Sequence, residues 1–246
     1  MRLERIRVLD VPVDPVTMDQ AVERARQWLR EGKQGNILAV NPEKIMTARD
    51  DSEVHGFLSS ARLLIPDGIG VVTASRWLGL GRFERVSGAD LMPKLCEMAA
   101  NEGYPVFLYG ASEEVNRKAS EELCRRYDKL DIAGTSHGFV TEEQMPGLIK
   151  SINDSGAKLV FVALGSPRQE RWMQSYMPQL DARVFQGVGG TFDVLSGEVR
   201  RAPKLIQSLN LEWLYRLLSN PRRLIRQTAL PRFMFSVIRA KLTSRG

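Results

Sequence analysis

Cysteine and histidine are scarce in this chain of 246 residues, which contains two of each. Cys96 and Cys124 lie in polar, helix-like segments without metal-ligand spacing, and we interpret them as two reduced thiols because cytosolic disulfides are rare. His55 and His137 are far apart and have no nearby partner in the sequence. The sequence therefore predicts no disulfide framework and no metal site, and neither histidine is assigned a triad role.

Long apolar runs are also missing. No run approaches the roughly 18 uninterrupted apolar residues of a membrane span. The charged start, Met1-Arg-Leu-Glu-Arg-Ile-Arg7, has no apolar stretch of signal-peptide length. We therefore expect the chain to stay on the cytoplasmic side, where it can still lie on a membrane surface.

Acidic residues are absent from the C-terminal end. From Trp213 onward there are eight Arg and Lys residues and no Asp or Glu, whereas the rest of the chain has 27 basic and 29 acidic residues. The tail thus calls for an anionic partner: lipid headgroups, pyrophosphate or nucleic acid. The composition shift near Ser208 predicts a core over residues 1–207 and a basic appendage over residues 208–246.

Apolar runs alternate with helical patterns along the core. The predicted strands are Asn36–Val40, Leu63–Ile65, Pro105–Tyr109, Lys158–Leu164 and Arg183–Gln186. The predicted helices are Glu43–Ser60, Ala89–Asn101, Glu113–Tyr127 and Gln169–Met177. Strands that are apolar on both faces and are each followed by a helix predict an α/β fold. The expected architecture is a Rossmann-like, mainly parallel sheet with helices on both faces, with ligands at the carboxyl ends of the strands.

Glycines follow two of these strands. Gly110 would let a backbone approach a phosphate, but a plain strand-to-helix turn is the favoured alternative. Gly187, Gly189 and Gly190 favour close approach of a ligand, or else of another backbone segment. Asp193 would accept hydrogen bonds from sugar hydroxyls or cap the next helix. No complete GxGxxG or Walker motif is present, so no dinucleotide fingerprint or P-loop is predicted.

Polar residues follow other strands. Asp67, between Pro66 and Gly68, is ordinarily a turn residue, but apolar neighbours would make it a useful general base. Asn41 would orient a sugar or only cap the helix that begins near Pro42. Arg168, Gln169 and Glu170 begin another helix, where they would form a solvated first turn or contact a hydroxyl-rich ligand. The DxD pattern of metal-bound diphosphates is absent.

In combination these motifs resemble the WecG/TagA/CpsF glycosyltransferases over nearly the whole chain. The matching segments are Asn41-Pro-Glu-Lys, Pro66-Asp-Gly-Ile-Gly, Arg85-Val-Ser-Gly-Ala-Asp90, Gly165-Ser-Pro-Arg-Gln-Glu, Gly187-Val-Gly-Gly-Thr-Phe-Asp-Val-Leu-Ser-Gly, Arg201-Ala-Pro, Glu212-Trp-Leu-Tyr-Arg and Pro221-Arg-Arg. The resemblance implies that Asp67 is the catalytic base and that Asn41, Gln169 and Arg85 lie at the active site. It further implies that the appendage docks on the membrane and closes over the donor, with Arg216 and Arg223 holding the diphosphate.

The implied reaction is an inverting transfer that needs neither a metal nor a cofactor. A hexose-type sugar, ManNAc or a related one, would move from a UDP-sugar to an undecaprenyl-pyrophosphate-linked saccharide in cell-surface polysaccharide synthesis. The implied location is the inner face of the cell membrane, and a homo-oligomer is left open. Ala39 stands where some members have Thr, which leaves the sugar undetermined. UDP-glucose or UDP-uronate donors remain alternatives, whereas nucleic-acid binding and a nucleotide-dependent oxidoreductase are disfavoured.

Overall fold

The computed structural model describes residues 4–200, 202–203, 206, 215 and 229–243. Two short antiparallel strands, β1 (Ile6–Val8) and β2 (Val11–Val13), form a hairpin that precedes the main sheet. The main sheet has six strands in the order β4-β3-β8-β7-β5-β6, all parallel. Its strands are β3 (Gly35–Val40), β4 (Leu63–Pro66), β5 (Val106–Gly110), β6 (Ile132–Ser136), β7 (Leu159–Ala163) and β8 (Val184–Gly187).

Helices cover both faces of this sheet. In chain order they are α1 (Met18–Glu31), α2 (Pro42–Asp50), α3 (Ser52–Ser60), α4 (Ile69–Leu78), α5 (Gly88–Glu102), α6 (Glu113–Arg126), α7 (Met145–Asp154), α8 (Arg168–Tyr176), α9 (Thr191–Leu195) and α10 (Ala229–Thr243), with a 3₁₀ turn at Met177–Gln179. Side chains alternate across the sheet, so Leu38 packs with α2, α3 and α8, whereas Ile37 packs with α1, α5 and α9. The predicted α/β fold with a mainly parallel sheet covered on both faces is confirmed.

The predicted helix over Glu43–Ser60 is two helices. Asp51 interrupts it, because its side chain accepts hydrogen bonds from the backbone N–H groups of Glu53 and Val54 and so starts a new helix. The prediction of one continuous helix was therefore wrong. The end of α5 was predicted correctly from a local signal. Gly103 follows the helical pattern, and in the structure it ends α5 with φ 72°.

The N-terminal hairpin is tied to the sheet by a buried carboxylate. Asp14 is 8% exposed and accepts hydrogen bonds from the Arg5 guanidinium, at 2.8 Å from both Nε and Nη2, and from the Leu64 backbone N–H at 2.7 Å. The hairpin was not predicted, because two three-residue strands leave too short a pattern to recognise.

The C-terminal helix α10 packs on α2 and α4, where Phe233 and Val237 are buried in the core. The sequence places Phe233, Val237, Met234, Ile238 and Leu242 on one apolar side. The structure divides that side, because Met234, Ile238 and Leu242 are exposed, together with Phe235. Most of the proposed appendage lies outside the described residues, so the boundary near residue 208 stays a prediction.

No helix within the described ranges has both the length and the hydropathy to cross a bilayer.

Candidate active site

A cleft of about 520 Å³ opens at the carboxyl ends of β3, β4 and β8. After β3 the chain enters α2 and α3 on one face of the sheet, whereas after β8 it enters α9 on the other. Neighbouring strands whose connections leave toward opposite faces create the crevice in which parallel sheets bind ligands. The predicted site residues that line the cleft are Asn41, Asp67, Arg85, Gln169, Gly187, Gly189 and Gly190.

The cleft is bordered by the starts of several helices. Pro42 begins α2, Gly68 precedes α4, Gly88 begins α5 and Pro167 precedes α8, and all four residues line the cleft. The first N–H groups of a helix have no acceptor within the helix, and its start carries the positive end of the helix dipole. Their convergence favours a ligand with several negative charges.

Asp67 follows β4 and lies against the start of α5. Its backbone N–H donates to the Val40 carbonyl at 2.8 Å, which holds the ends of β3 and β4 together. Its carboxylate Oδ2 is 3.4 Å from the Gly88 backbone nitrogen, which donates to it. The neighbouring Gly68 has φ 91°, which favours glycine and turns the chain into α4 at once. A half-buried carboxylate thus lies in the cleft wall.

Asn41 caps a helix and lies at the cleft, and its role toward a sugar stays a prediction. Its Oδ1 accepts a hydrogen bond from the Lys44 backbone N–H at 2.8 Å, so it caps α2, and the residue also lines the cleft. Arg85 lines the cleft near the start of α5, with Nη2 3.8 Å from Asp90 Oδ2. Its guanidinium therefore adds a positive charge to the cleft lining.

Gln169 connects α8 to the glycine loop. Its side chain is almost fully buried, and Oε1 accepts a hydrogen bond from the Gly189 backbone N–H at 3.0 Å. A Cβ on Gly187 would lie 2.6 Å from Gln169 Nε2, so the amide fits only because residue 187 is glycine. This contact explains why residue 187 is glycine. Gly189 has φ 52°, a left-handed backbone conformation that residues with a side chain rarely adopt.

A buried ion pair lies beside this loop. Lys44 Nζ donates to Glu170 Oε1 at 2.6 Å, and the two side chains are 8% and 1% exposed. Lys44 lines the cleft, whereas Glu170 lines a separate cavity between α3 and α8. Sequence reasoning assigned no role to Lys44, although it belongs to the Asn41 motif. Its partner is 126 residues away, and no local pattern signals such a pairing.

Other predicted site residues lie elsewhere. A Cβ on Gly110 would be 2.5 Å from the Ala163 backbone, so this glycine allows β5 and β7 to approach, and it does not line the cleft. Asp193 lies in the first turn of α9, outside the cleft lining, and its carbonyl accepts from the Val199 N–H. Arg216 and Arg223 lie outside the described residues.

Across the described ranges, no cluster of three or more His, Cys, Asp or Glu side chains is arranged to hold a metal ion.

The fold and cleft define a parallel-sheet α/β protein with a ligand crevice suited to an anionic, hydroxyl-bearing molecule. The family model described as "Glycosyl transferase WecG/TagA/CpsF family" matches residues 6–246. The chain therefore belongs to this family and is a glycosyltransferase of cell-surface polysaccharide synthesis, acting on a sugar donor and an acceptor. The family resemblance noted in the sequence is thereby confirmed.

Proposed function

We propose that the protein is an inverting glycosyltransferase that transfers a hexose-type sugar, ManNAc or a related one, from a UDP-sugar to an undecaprenyl-pyrophosphate-linked saccharide. The observation that carries this proposal is the cleft itself, in which the carboxylate of Asp67 lies among converging helix starts. A transferase of this kind needs a base for the acceptor hydroxyl and positive charge for the departing diphosphate.

The proposed chemistry is a single displacement. Asp67 removes the proton of the acceptor hydroxyl as the hydroxyl oxygen forms a bond to the anomeric carbon of the donor sugar. The bond from that carbon to the diphosphate breaks, and its electron pair leaves on the phosphate oxygen of UDP. Backbone N–H groups at the helix starts and the Arg85 guanidinium stabilise that oxygen, so the transfer proceeds without a metal ion.

The proposed sugar specificity depends on the residue at position 39. Ala39 lines the cleft, and its Cβ is 3.5 Å from the position that a Cβ on Gly88 would take, beside Asp67. A methyl group there offers no hydrogen bond to a sugar hydroxyl, unlike the Thr of some family members. UDP-glucose and UDP-uronate therefore remain in the panel of donors to be tested.

The test is a transfer assay with a short-chain polyprenyl-pyrophosphate saccharide and a panel of UDP-sugars, read by mass spectrometry. One donor should give a product heavier by one sugar, with equal rates in EDTA and in magnesium and with inverted anomeric configuration by NMR. Activity that disappears in EDTA and returns with magnesium or manganese would refute the metal-independent mechanism. An absence of product with every donor would refute the UDP-sugar assignment.

We further propose that α10 docks this enzyme on the inner face of the cell membrane. On the helix, Met234, Phe235, Ile238 and Leu242 form an exposed stripe, 42–68% exposed, opposite the buried Phe233 and Val237. The helical spacing places Lys241 on one margin of this stripe and Arg232 and Arg239 on the other. An exposed apolar stripe between basic margins suits the surface of an anionic bilayer.

The docking is tested by vesicle co-sedimentation of the full chain. The double variant Phe235→Ser/Leu242→Ser should lose binding to vesicles of anionic lipid while keeping its melting temperature, because both side chains are exposed. Binding should weaken in high salt and on neutral vesicles. Phe139→Ser, at a phenylalanine after β6 that is as exposed as Phe235, is the control and should bind as the parent does. Equal sedimentation of the parent and the double variant would refute the docking role of α10.

A further inference from the structure

The buried Lys44–Glu170 pair is the feature of the cleft that the proposed mechanism does not use. Its atoms are 2.6 Å apart, and the Glu170 side chain is 1% exposed. Burying two charges costs about as much desolvation as their attraction returns, so such a pair contributes little net stability. A buried ion pair whose lysine lines a ligand cleft therefore points to a role in binding.

The two partners are placed differently. Lys44 is the third residue of α2, one turn from Asn41, and it lines the cleft. Among the described residues, the contact of its ammonium group is with Glu170, which leaves N–H donors for a ligand. Glu170 lies behind Lys44 and does not line the cleft, so it acts on a substrate only through its neighbours.

Glu170 also organises the other side of the cleft. Its Oε1 accepts a second hydrogen bond from Gln169 Nε2 at 3.2 Å, and Gln169 Oε1 accepts from the Gly189 N–H at 3.0 Å. Within the described part of the chain, the buried Oε2 of Glu170 has no hydrogen-bond partner. The carboxylate therefore depends on Lys44 and Gln169 for its hydrogen-bond donors. Movement of Glu170 would displace both of these side chains and, through Gln169, the loop at Gly189.

We propose that Lys44 binds a diphosphate group in the cleft and that Glu170 is the positioning residue that orients Lys44 and, through Gln169, the glycine loop. This inference rests on the proposed function, which supplies two diphosphates, one in the UDP donor and one in the lipid-linked acceptor. Both have the same chemistry, two bridged phosphates with several negative charges, and both suit an ammonium group beside the starts of α2 and α8.

The first measurement is calorimetric binding of UDP and of uridine to the full chain without metal. Lys44→Met should weaken UDP binding about 10- to 100-fold, as expected for loss of one charge-assisted hydrogen bond, and leave uridine binding unchanged. The matched control is Arg171→Met on the same helix as Glu170, since Arg171 forms an exposed ion pair with Glu53. That variant should bind both ligands as the parent does.

Lys44→Met leaves a buried carboxylate without its cation, so Lys44→Met/Glu170→Gln is measured beside it to preserve folding. The double variant should melt close to the parent and bind UDP as weakly as Lys44→Met alone. Glu170→Gln alone should weaken UDP binding about 3- to 10-fold through the loss of its charge beside Lys44. It should have no further effect in the Lys44→Met background, because glutamine keeps a carbonyl oxygen that accepts from Gln169. Equal, additive losses for UDP and uridine would overturn the proposal in favour of a purely structural pair.

A transfer assay with varied acceptor concentration shows which of the two diphosphates Lys44 binds. If Lys44→Met leaves UDP binding intact but raises the KM for the lipid-pyrophosphate acceptor about 10-fold or more, Lys44 binds the acceptor diphosphate, and the proposal holds. If neither the UDP affinity nor the acceptor KM changes, the proposed role of Lys44 is overturned, whereas the proposed sugar transfer is unaffected.

If the parent binds no UDP, the proposed function fails, and inorganic pyrophosphate becomes the probe. Loss of pyrophosphate binding in Lys44→Met then supports the inference, and equal or absent binding in both proteins overturns it.

Discussion

Replacing Gly187 with alanine tests how the glycine loop is built. The added Cβ would lie 2.6 Å from Gln169 Nε2, 3.0 Å from Gln169 Cδ and 3.3 Å from Leu38 Cδ2. Gly187 has no positive φ, so alanine can adopt its backbone, and the cost comes from the contact alone. The amide of Gln169 must move, which breaks its hydrogen bond with the Gly189 N–H.

The size of the effect follows from these contacts. Overpacking a tight site costs about 1–3 kcal/mol, and the lost hydrogen bond adds about 1 kcal/mol. The reduced freedom of the unfolded chain returns about 0.4–1 kcal/mol. We therefore expect Gly187→Ala to destabilise the protein by about 2 kcal/mol, a fall of about 4–8 °C in melting temperature for a chain of this size. UDP affinity should fall as well, because Gly189 lines the cleft.

The assay is thermal unfolding of four proteins: the parent, Gly187→Ala, Gln169→Ala and the double variant. Without the amide, the new Cβ has room, so Gly187→Ala should cost much less in the Gln169→Ala background. The control is Gly56→Ala in α3, where a Cβ meets nothing within 4 Å and alanine should stabilise the helix by about 1 kcal/mol. An equal cost of Gly187→Ala in both backgrounds would refute the steric argument.

Three other predictions concern the base, the thiols and the hairpin. Asp67→Asn should lower kcat by about 10²–10⁴-fold and preserve UDP affinity in calorimetry, whereas near-normal turnover would reduce Asp67 to a turn residue. Iodoacetamide at pH 8 should label the exposed Cys124 in the native protein and Cys96 only after unfolding, because burial raises the pKa of the Cys96 thiol. The labelled cysteines are identified by peptide mass spectrometry, and labelling of Cys96 in the native protein would contradict the prediction. Asp14→Ala should destabilise the protein by about 1–3 kcal/mol in urea unfolding, because it leaves the buried Leu64 N–H without its acceptor, and an unchanged midpoint would contradict this.

The sheet was predictable because its central strands are continuous apolar runs. Lys158–Leu164 and Asn36–Val40 were recognised in this way, and they are β7 and β3 with boundaries shifted by one residue. The edge strand β6 (Ile132–Ser136) was missed because none of its residues is fully buried and its apolar signal is weak. Burial thus makes a strand recognisable in the sequence: β4, at the opposite edge, is fully buried and was predicted, whereas β6 is not fully buried and was missed.

The lining of the cleft was predictable where a residue ends a strand, as Gly187 does, or follows one directly, as Asn41 and Asp67 do. Parallel strands bring such residues to one edge whatever their separation in the chain. Lys44 lies one turn inside α2, and its role depends on a carboxylate from α8. The spatial pairing of two helix surfaces is a tertiary property that no local pattern contains.

Gly110 and Gly187 show why a strand-end glycine alone does not identify a ligand site. Each is the last residue of its strand, and at each an added Cβ would meet another atom within 2.6 Å. At Gly110 the opposing atoms belong to the Ala163 backbone of the neighbouring strand, so the glycine serves strand packing. At Gly187 they belong to the Gln169 amide, which in turn holds the cleft loop through Gly189. The close approach is common to both positions, and only the identity of the opposing group separates a packing glycine from one that shapes a binding cleft.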